Sequence, residues 1–455
     1  MAYKLLDGIR ILDLTMVFAG PVSTEILTEL GAEIIKIESV QRADVFTRAN
    51  VYPENEPGED PWNRGCIFHT LNTGKKGISL NLGSEEGREI FKRLVKISDA
   101  VIENYSPRVM DNWGLNYEEL KKIKSDIIMV SISGLGHYGP LRDFYMYVPG
   151  MEGMSGLTHI TGFPEEPPLL SGCAYGDWVT GANAAGALLT ALYYRMQTGE
   201  GQYVDLSGRE AVACHIGDVL TEYTQTGQIP ERTGNNHPTA APHGCYRCSG
   251  EDNWVNIAVE NEDQWQKFCE VIGRPAWTKE DKFSTLKERL LNREELDRNV
   301  EEWTVRQGHI EIMKMMQEAG IPAGAALNMK EINTDPHLAE RGFFSMIDHG
   351  DGIGKRPIPG QMPAKFSKAE SFIQERAPRF AQDDNYVFGS LLEMTETEIR
   401  KLIEDNIIGG LPKFPRGRPT RVDLIEEQKA GWFDPDYLDE LRKIYGGDIG
   451  QSNTK

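Results

Sequence analysis

Positive charge is what this 455-residue chain has least of: 49 Lys and Arg stand against 69 Asp and Glu, for a formal charge of −20. A deficit of that size argues against nucleic acid or an anionic membrane surface as a partner. It does not exclude a small anionic ligand, because one pocket can be locally basic. No apolar run reaches membrane-spanning length without a polar interruption. The opening MAYKLLDGIRILDL carries Asp7 and Asp13 inside its apolar stretch, which is not a signal-peptide layout. Cysteine is sparse and scattered, at positions 66, 173, 214, 245, 248 and 269, a distribution expected of reduced thiols in the cytoplasm. Cys245-Tyr246-Arg247-Cys248, with His237 and His243 nearby, lacks the second C-x-x-C of a structural zinc site, so no metal is expected. G-x-G-x-x-G is missing too, and with it the dinucleotide fingerprint.

What remains is an ordinary globular composition, 40% hydrophobic and 26% charged, in a chain long enough for two or more domains. Gly8–Thr15 reads as a buried strand, Pro21 suits the first turn of a helix running to Leu30, and Ala32–Glu38 is the next strand. This βαβ unit is right-handed by default. Further strands are expected at Asp99–Glu103, Ile127–Ser133 and Gln202–Leu206, and helices at Glu85–Ile97 and Tyr117–Ile123. Such alternation implies a parallel sheet covered on both faces, with ligands beyond the carboxyl ends of its strands. The loops Phe18–Pro21, Leu71–Lys76, Asn104–Pro107 and Gly134–Pro140 lie there. Near Val219 the character changes. A strand at Trp254–Val259 and helices at Asp263–Val271, Arg289–Val305 and Ile310–Gly320 suggest a smaller α+β domain. From Asp335 a strand-rich return segment leads to a helix at Glu396–Glu404, and the tail from Leu411 is polar and contains prolines. The expected division is 1–215, 216–330 and 331–455.

The stretch Leu169–Ala211 is the most informative. A turn from Ser171 to Gly176 precedes a long helical pattern whose apolar face is Val179, Ala182, Ala185, Leu188, Leu189, Leu192 and Met196. Asp177 falls where an N-cap would, and a carboxylate there is favoured as the anion. Gly181, Ala182, Ala184, Ala185, Gly186 and Ala187 leave the first turns nearly bare, open to close approach by a helix or a ligand.

The run GDWVTGANAAGALLTALYYRMQTGEGQYVDLS resembles the signature segment of the family III CoA-transferases, and the likeness extends from Leu6 to about Pro412. It implies a Rossmann-like large domain, a smaller α+β domain and an interlocked ring-like dimer. It also implies a reaction moving CoA from a thioester donor, succinyl-CoA among them, to a carboxylic acid, with Asp177 as nucleophile. An aspartate suits that role because it is ionised at neutral pH without a partner base. Backbone N–H groups at the helix start are expected to stabilise the oxyanions. CoA enters as substrate, and no prosthetic group is implied.

The CoA contacts carried over by the resemblance are Phe18 and Ala19, in a loop whose usual polar residue is Phe18 here, and Leu71, Asn72, Thr73 and Lys75, with Lys76 beside them. Asn104 matches the family's E-N-[FY] motif. Its usual phosphate-binding Arg is replaced by Asn112, which leaves Arg108 and Arg42 as candidates. His137 and Tyr147 are the residues expected near the acyl group. The α-methylacyl-CoA racemases, which resemble this family, need a second acid/base where Tyr147 stands, and a phenol with a pKa near ~10 serves poorly. A homodimer, a heteromer with a homologous subunit, and a non-catalytic partner subunit all fit the same likeness.

Overall fold

The computed structural model describes residues 4–49, 51–350, 352–369, 375–413, 424–431 and 433–451. Of the polar tail, 414–423, 432 and 452–455 therefore lie outside the described residues. The chain divides into two compact units. The first comprises 1–157, 170–225 and 336–455, and the second 158–169 and 226–335.

The first unit is built on six parallel strands: β1 (Arg10–Asp13), β2 (Glu33–Glu38), β3 (Lys76–Ser79), β4 (Ala100–Glu103), β5 (Ile128–Ser133) and β6 (Tyr203–Ser207). Their order is β3-β2-β1-β4-β5-β6. Alternation along each strand fills two cores. Ile11, Ile34, Ile102, Ile128 and Val130 face one, with Leu188 and Leu192 of the long 175–198 helix packed on them. Leu12, Ile35, Ile37, Val101 and Met129 face the other, against Phe91, Leu94 and Phe388. Both faces being buried, the strands read as near-continuous apolar runs. A β-hairpin, β10 (Phe344–Asp348) with β11 (Lys355–Pro359), also belongs to this unit.

The second unit has an antiparallel sheet in the order β7-β8-β9: His243–Arg247, Trp254–Ala258 and Ala323–Ala326. Trp265, Phe268, Leu296, Val300 and Ile312 of its helices form the core with Val255 and Ile257. Cys248 is buried in that core. The helix expected over Arg289–Val305 is two, Leu286–Leu291 and Arg293–Thr304. The break is at Asn292, whose side-chain amide donates to the carbonyls of Glu288 and Lys282. Among the described residues, the strand-rich return segment is reduced to the single hairpin β10–β11, and two of the β11 residues are prolines. Among the described residues no helix is long and apolar enough to cross a membrane.

Candidate active site

The strand order reverses between β1 and β4, which start connections running in opposite directions along the sheet. Ligands of such sheets bind in the crevice outside the strand ends at that switch point. Here the strand ends carry buried polar groups: Asp13, Lys36, Glu38, Glu103 and Ser131 are all enclosed. Asp13 accepts from the backbone and hydroxyl of Thr15 and from Thr24 Oγ1. Burial pushes its carboxyl up, but Lys75 and Lys36 outweigh that and hold it below its ordinary value.

The loop above this floor is clasped from two sides. The Asn104 amide accepts from Met16 N and donates to Met16 O, both at 2.8 Å. Asp44 Oδ2 accepts from Val17 N at 3.0 Å. Val17, a β-branched residue, is held at φ 68°, a strained backbone of the kind that over-determined surroundings maintain. The chain then enters the helix Ala19–Glu29, whose N-cap residue is Phe18. Phe18 packs edge-on against Trp178, with ring centroids 5.9 Å apart. The crevice loop is thereby joined to the start of the long helix that carries Asp177. Gly181 makes this approach possible, since a Cβ there would lie 2.6 Å from Val22 and 2.7 Å from the Ala19 carbonyl.

Asp177 is not the N-cap that its sequence position suggests. The helix begins at Tyr175, and the cap is Ala174 in a left-handed conformation, φ 53°. The cause is long-range. Glu152, buried in the helix Val148–Ser155, accepts from Ser171 N (3.0 Å), Ser171 Oγ (2.7 Å) and Gly176 N (3.4 Å) and so folds the 171–176 turn tightly. Asp177 is half-buried in the first turn, and its carboxylate accepts no hydrogen bond from the described residues. Desolvation, reinforced by the Glu152 carboxylate, raises its pKa to about 7. The expected oxyanion donors are also spoken for. Gly176 N–H goes to Glu152, and the N–H groups of Asp177 and Trp178 go to the Ala174 carbonyl.

The CoA residues named from the sequence separate sharply. Lys75 does not offer its ammonium to a phosphate. It is buried among Thr24 Oγ1 (2.8 Å), Leu71 O (2.8 Å), Asn72 Oδ1 (3.0 Å), Pro21 O (3.1 Å) and Asp13 Oδ2 (3.4 Å). Leu71, Asn72 and Thr73 are buried with it, Asn72 donating to Phe68 O and Thr73 to Glu25. These four residues are therefore internal scaffold. The Asn104 amide is likewise consumed by Met16. Arg108, itself left-handed at φ 80°, pairs with Asp143 at 2.5 Å on the surface. Arg42 is exposed beside Tyr105, near enough to oppose the rise that burial gives that phenol. Ala19 is buried at the helix start.

His137 turns inward. Its backbone N–H donates to both oxygens of Asp205 at 3.0 Å, and its Nε2 lies 3.8 Å from Glu103 Oε1. Burial raises Glu103 to about 7 and lowers His137. Tyr147 stands at the start of the 148–155 helix, its side chain 75% exposed. Sequence reading missed Glu152 and Asp44. The signal for Glu152 was an acid within the short apolar run VPGMEGMS. Asp44 sits in a charged stretch that gives no such contrast.

Residues 6–384 match the family model described as CoA-transferase family III. Succinyl-CoA–D-citramalate CoA-transferase of Chloroflexus aurantiacus is 32% identical, over 89% of this chain and 98% of that protein. The alpha subunit of succinyl-CoA–L-malate CoA-transferase, also from Chloroflexus aurantiacus, is 30% identical over 89% of this chain and 92% of its own length. The crystal structure of a CAIB/BAIF family protein from Brucella suis superposes with a TM-score of 0.78 at 31% identity, covering 86% of this chain and all of that one.

Proposed function

The chain belongs to the family III CoA-transferases, and from that premise we propose that it moves CoA from an acyl thioester, succinyl-CoA by preference, to a second carboxylic acid with Asp177 as nucleophile. The observation that carries this reading is the Asp177 carboxylate itself. It is half-buried at a helix start and free of hydrogen bonds from the described residues, and the Phe18–Trp178 contact joins its helix to the switch-point loop. A carboxylate serving only as a cap would spend an oxygen on a backbone N–H.

Asp177 attacks the thioester carbonyl carbon, and the C–S electron pair leaves on the CoA thiolate, giving an aspartyl-acyl anhydride. The thiolate attacks the aspartyl carbonyl and releases the first acid, leaving CoA on Asp177 as a thioester. The acceptor carboxylate displaces the thiolate to form a second anhydride. Attack of the thiolate on its acyl carbon yields the new CoA ester and restores Asp177. Each difficult acyl transfer becomes two easier ones. Arg42, exposed near the carboxyl ends of β1, β2 and β4, is the phosphate ligand in this reading, and the Val17–Ala19 backbone borders the pantetheine. A phenol such as that of Tyr147 is a poor second base at neutral pH, so α-proton exchange is not expected.

Asp177→Asn tests the reading. The variant folds and binds CoA, and its turnover falls by at least ~10³-fold, the loss of a nucleophile rather than of a cap. Hydroxylamine added during turnover of the parent enzyme converts one carboxylate to a hydroxamate, which peptide mapping places at Asp177. Near-normal turnover by Asp177→Asn, or a hydroxamate on another residue, would remove Asp177 from the mechanism.

A further inference from the structure

Lys75 is sealed beneath the switch-point loop, 2% exposed, and takes no part in the acyl-transfer steps. Its Nζ lies between 2.8 and 3.4 Å from five oxygens. They come from three separate stretches of chain. Asp13 stands at the end of β1, Pro21 O and Thr24 Oγ1 in the first turns of helix 19–29, and Leu71 O and Asn72 Oδ1 at the end of the helix Cys66–Leu71. An ammonium has three N–H donors, so these acceptors share it. Burial, with Lys36, lowers its pKa to about 8 against the pull of Asp13 and Glu25, and it is charged at neutral pH.

The turn that Lys75 grips is the one on which the Asp177 helix rests. Gly181, one turn after Asp177 and on the same face, packs against Ala19 and Val22. Phe18, at the head of that turn, meets Trp178. Thr24 couples the ammonium to Asp13, since its hydroxyl accepts from Lys75 at 2.8 Å and donates to Asp13 at 2.7 Å. Without the ammonium, Asp13 would lose a buried counter-charge, and the Pro21 and Leu71 carbonyls a donor that enclosed surroundings do not replace. The start of helix 19–29 would then no longer be tied to β1 and to the 71–75 segment.

We propose, on the reading of Asp177 as nucleophile, that Lys75 is a positioning residue for the acyl transfer. Its buried ammonium holds the switch-point loop and the first turn of helix 19–29 at the spacing from Asp177 that attack on the thioester requires. This role differs from the phosphate contact that a Lys-Lys pair suggests in the sequence. A phosphate ligand touches CoA, and its loss weakens binding. A positioning residue touches neither substrate nor reacting atoms, and its loss slows the bound complex by misplacing them.

Exchange of isotope-labelled succinate into succinyl-CoA, with calorimetry of CoA binding, tests this on full-length Lys75→Ala. The maximal exchange rate should fall by roughly 10²-fold, the cost of a misplacement of about 1 Å, while CoA binds much as it does to the parent. Propylammonium, which matches the deleted atoms and their charge, should restore the rate, and propan-1-ol should not. If Lys75→Ala does not fold, a milder pair decides. Thr24→Val removes the hydroxyl between Lys75 and Asp13 and should lower the rate, and Thr24→Ser should restore it. A parental rate in folded Lys75→Ala or in Thr24→Val, lost CoA affinity with the maximal rate kept, or equal rescue by propan-1-ol would overturn the proposal. Hydroxamate mapping of the parent protein keeps the two readings apart. A label away from Asp177 removes the nucleophile itself, whereas a label at Asp177 together with any of those outcomes removes only the role of Lys75.

Discussion

Glu152 bears on the chemistry of Asp177. A carboxylate must be ionised to attack a thioester, yet burial and the Glu152 charge raise Asp177 to about 7. If Asp177 is the nucleophile, kcat/KM should climb with pH and level off above about 7, falling about tenfold for each unit below. Glu152→Gln removes the like charge while keeping one acceptor for Ser171. The acidic limb should move to lower pH without reaching the ordinary carboxylate range, because burial, the larger cause, remains. A limb that stays in place would separate Glu152 from the titration. The same shift has a signed effect on stability. The unfolded chain releases this proton near 3.8 and the folded chain holds it to about 7, so folding stability drains away as pH rises through that window. Asp177→Asn should therefore raise the melting temperature relative to the parent more at pH 8 than at pH 4. Equal shifts at both pH values would contradict the raised pKa.

At the scale of elements, the packing of helix 19–29 on helix 175–198 holds the site, and Gly181 is its closest point. A methyl group there meets Val22 and the Ala19 carbonyl well inside contact distance, so Gly181→Ala should cost about 1–3 kcal/mol of stability as the helices separate. Gly186, on the exposed side of the same helix, has no described residue within 4 Å of where a methyl would stand. Gly186→Ala should gain about 0.5–1 kcal/mol from helix propensity alone. Chemical denaturation of the two variants checks both signs, and a loss at Gly181 no greater than at Gly186 would deny the close packing. Periodicity in the sequence locates this helix, the βαβ start and helix Glu396–Glu404, because local apolar spacing determines them. It gives the wrong helix start at Asp177, since the left-handed Ala174 depends on Glu152, 19 residues before Ser171. Local pattern also cannot say that Lys75 is internal. A Lys-Lys pair at a strand entry reads as solvated, and only the tertiary fold brings Asp13, Thr24 and three other acceptors around one ammonium. Ala182 and Met196, expected on the buried face, are exposed, and the face that the helix buries runs through Gly181, Ala184, Ala185, Leu188 and Leu192.

For the whole molecule, the surface poses the question that the fold leaves. Within the stretch 138–147, Tyr138, Phe144, Tyr145 and Tyr147 are 61–88% exposed. Aromatic side chains so grouped are typical of protein interfaces rather than of monomer surfaces. The dimer implied by the resemblance to the family would cover them. Such an interface would join two chains that each carry −20, so electrostatics oppose it and apolar burial must hold it. Salt screens the repulsion within a Debye length of about 3 Å at 1 M and leaves the apolar contact intact. Sedimentation should thus show a dimer at nanomolar protein that persists, or tightens, from low salt to about 1 M NaCl. Tyr145→Asp, which would bury a charge in that interface, should release monomer. At a solvated site the same change would alter stability by no more than about 0.5 kcal/mol. A folded monomer at every salt concentration would mean that these aromatics face water, and a dimer lost on adding salt would mean that charge pairs, not this apolar stretch, hold the chains together.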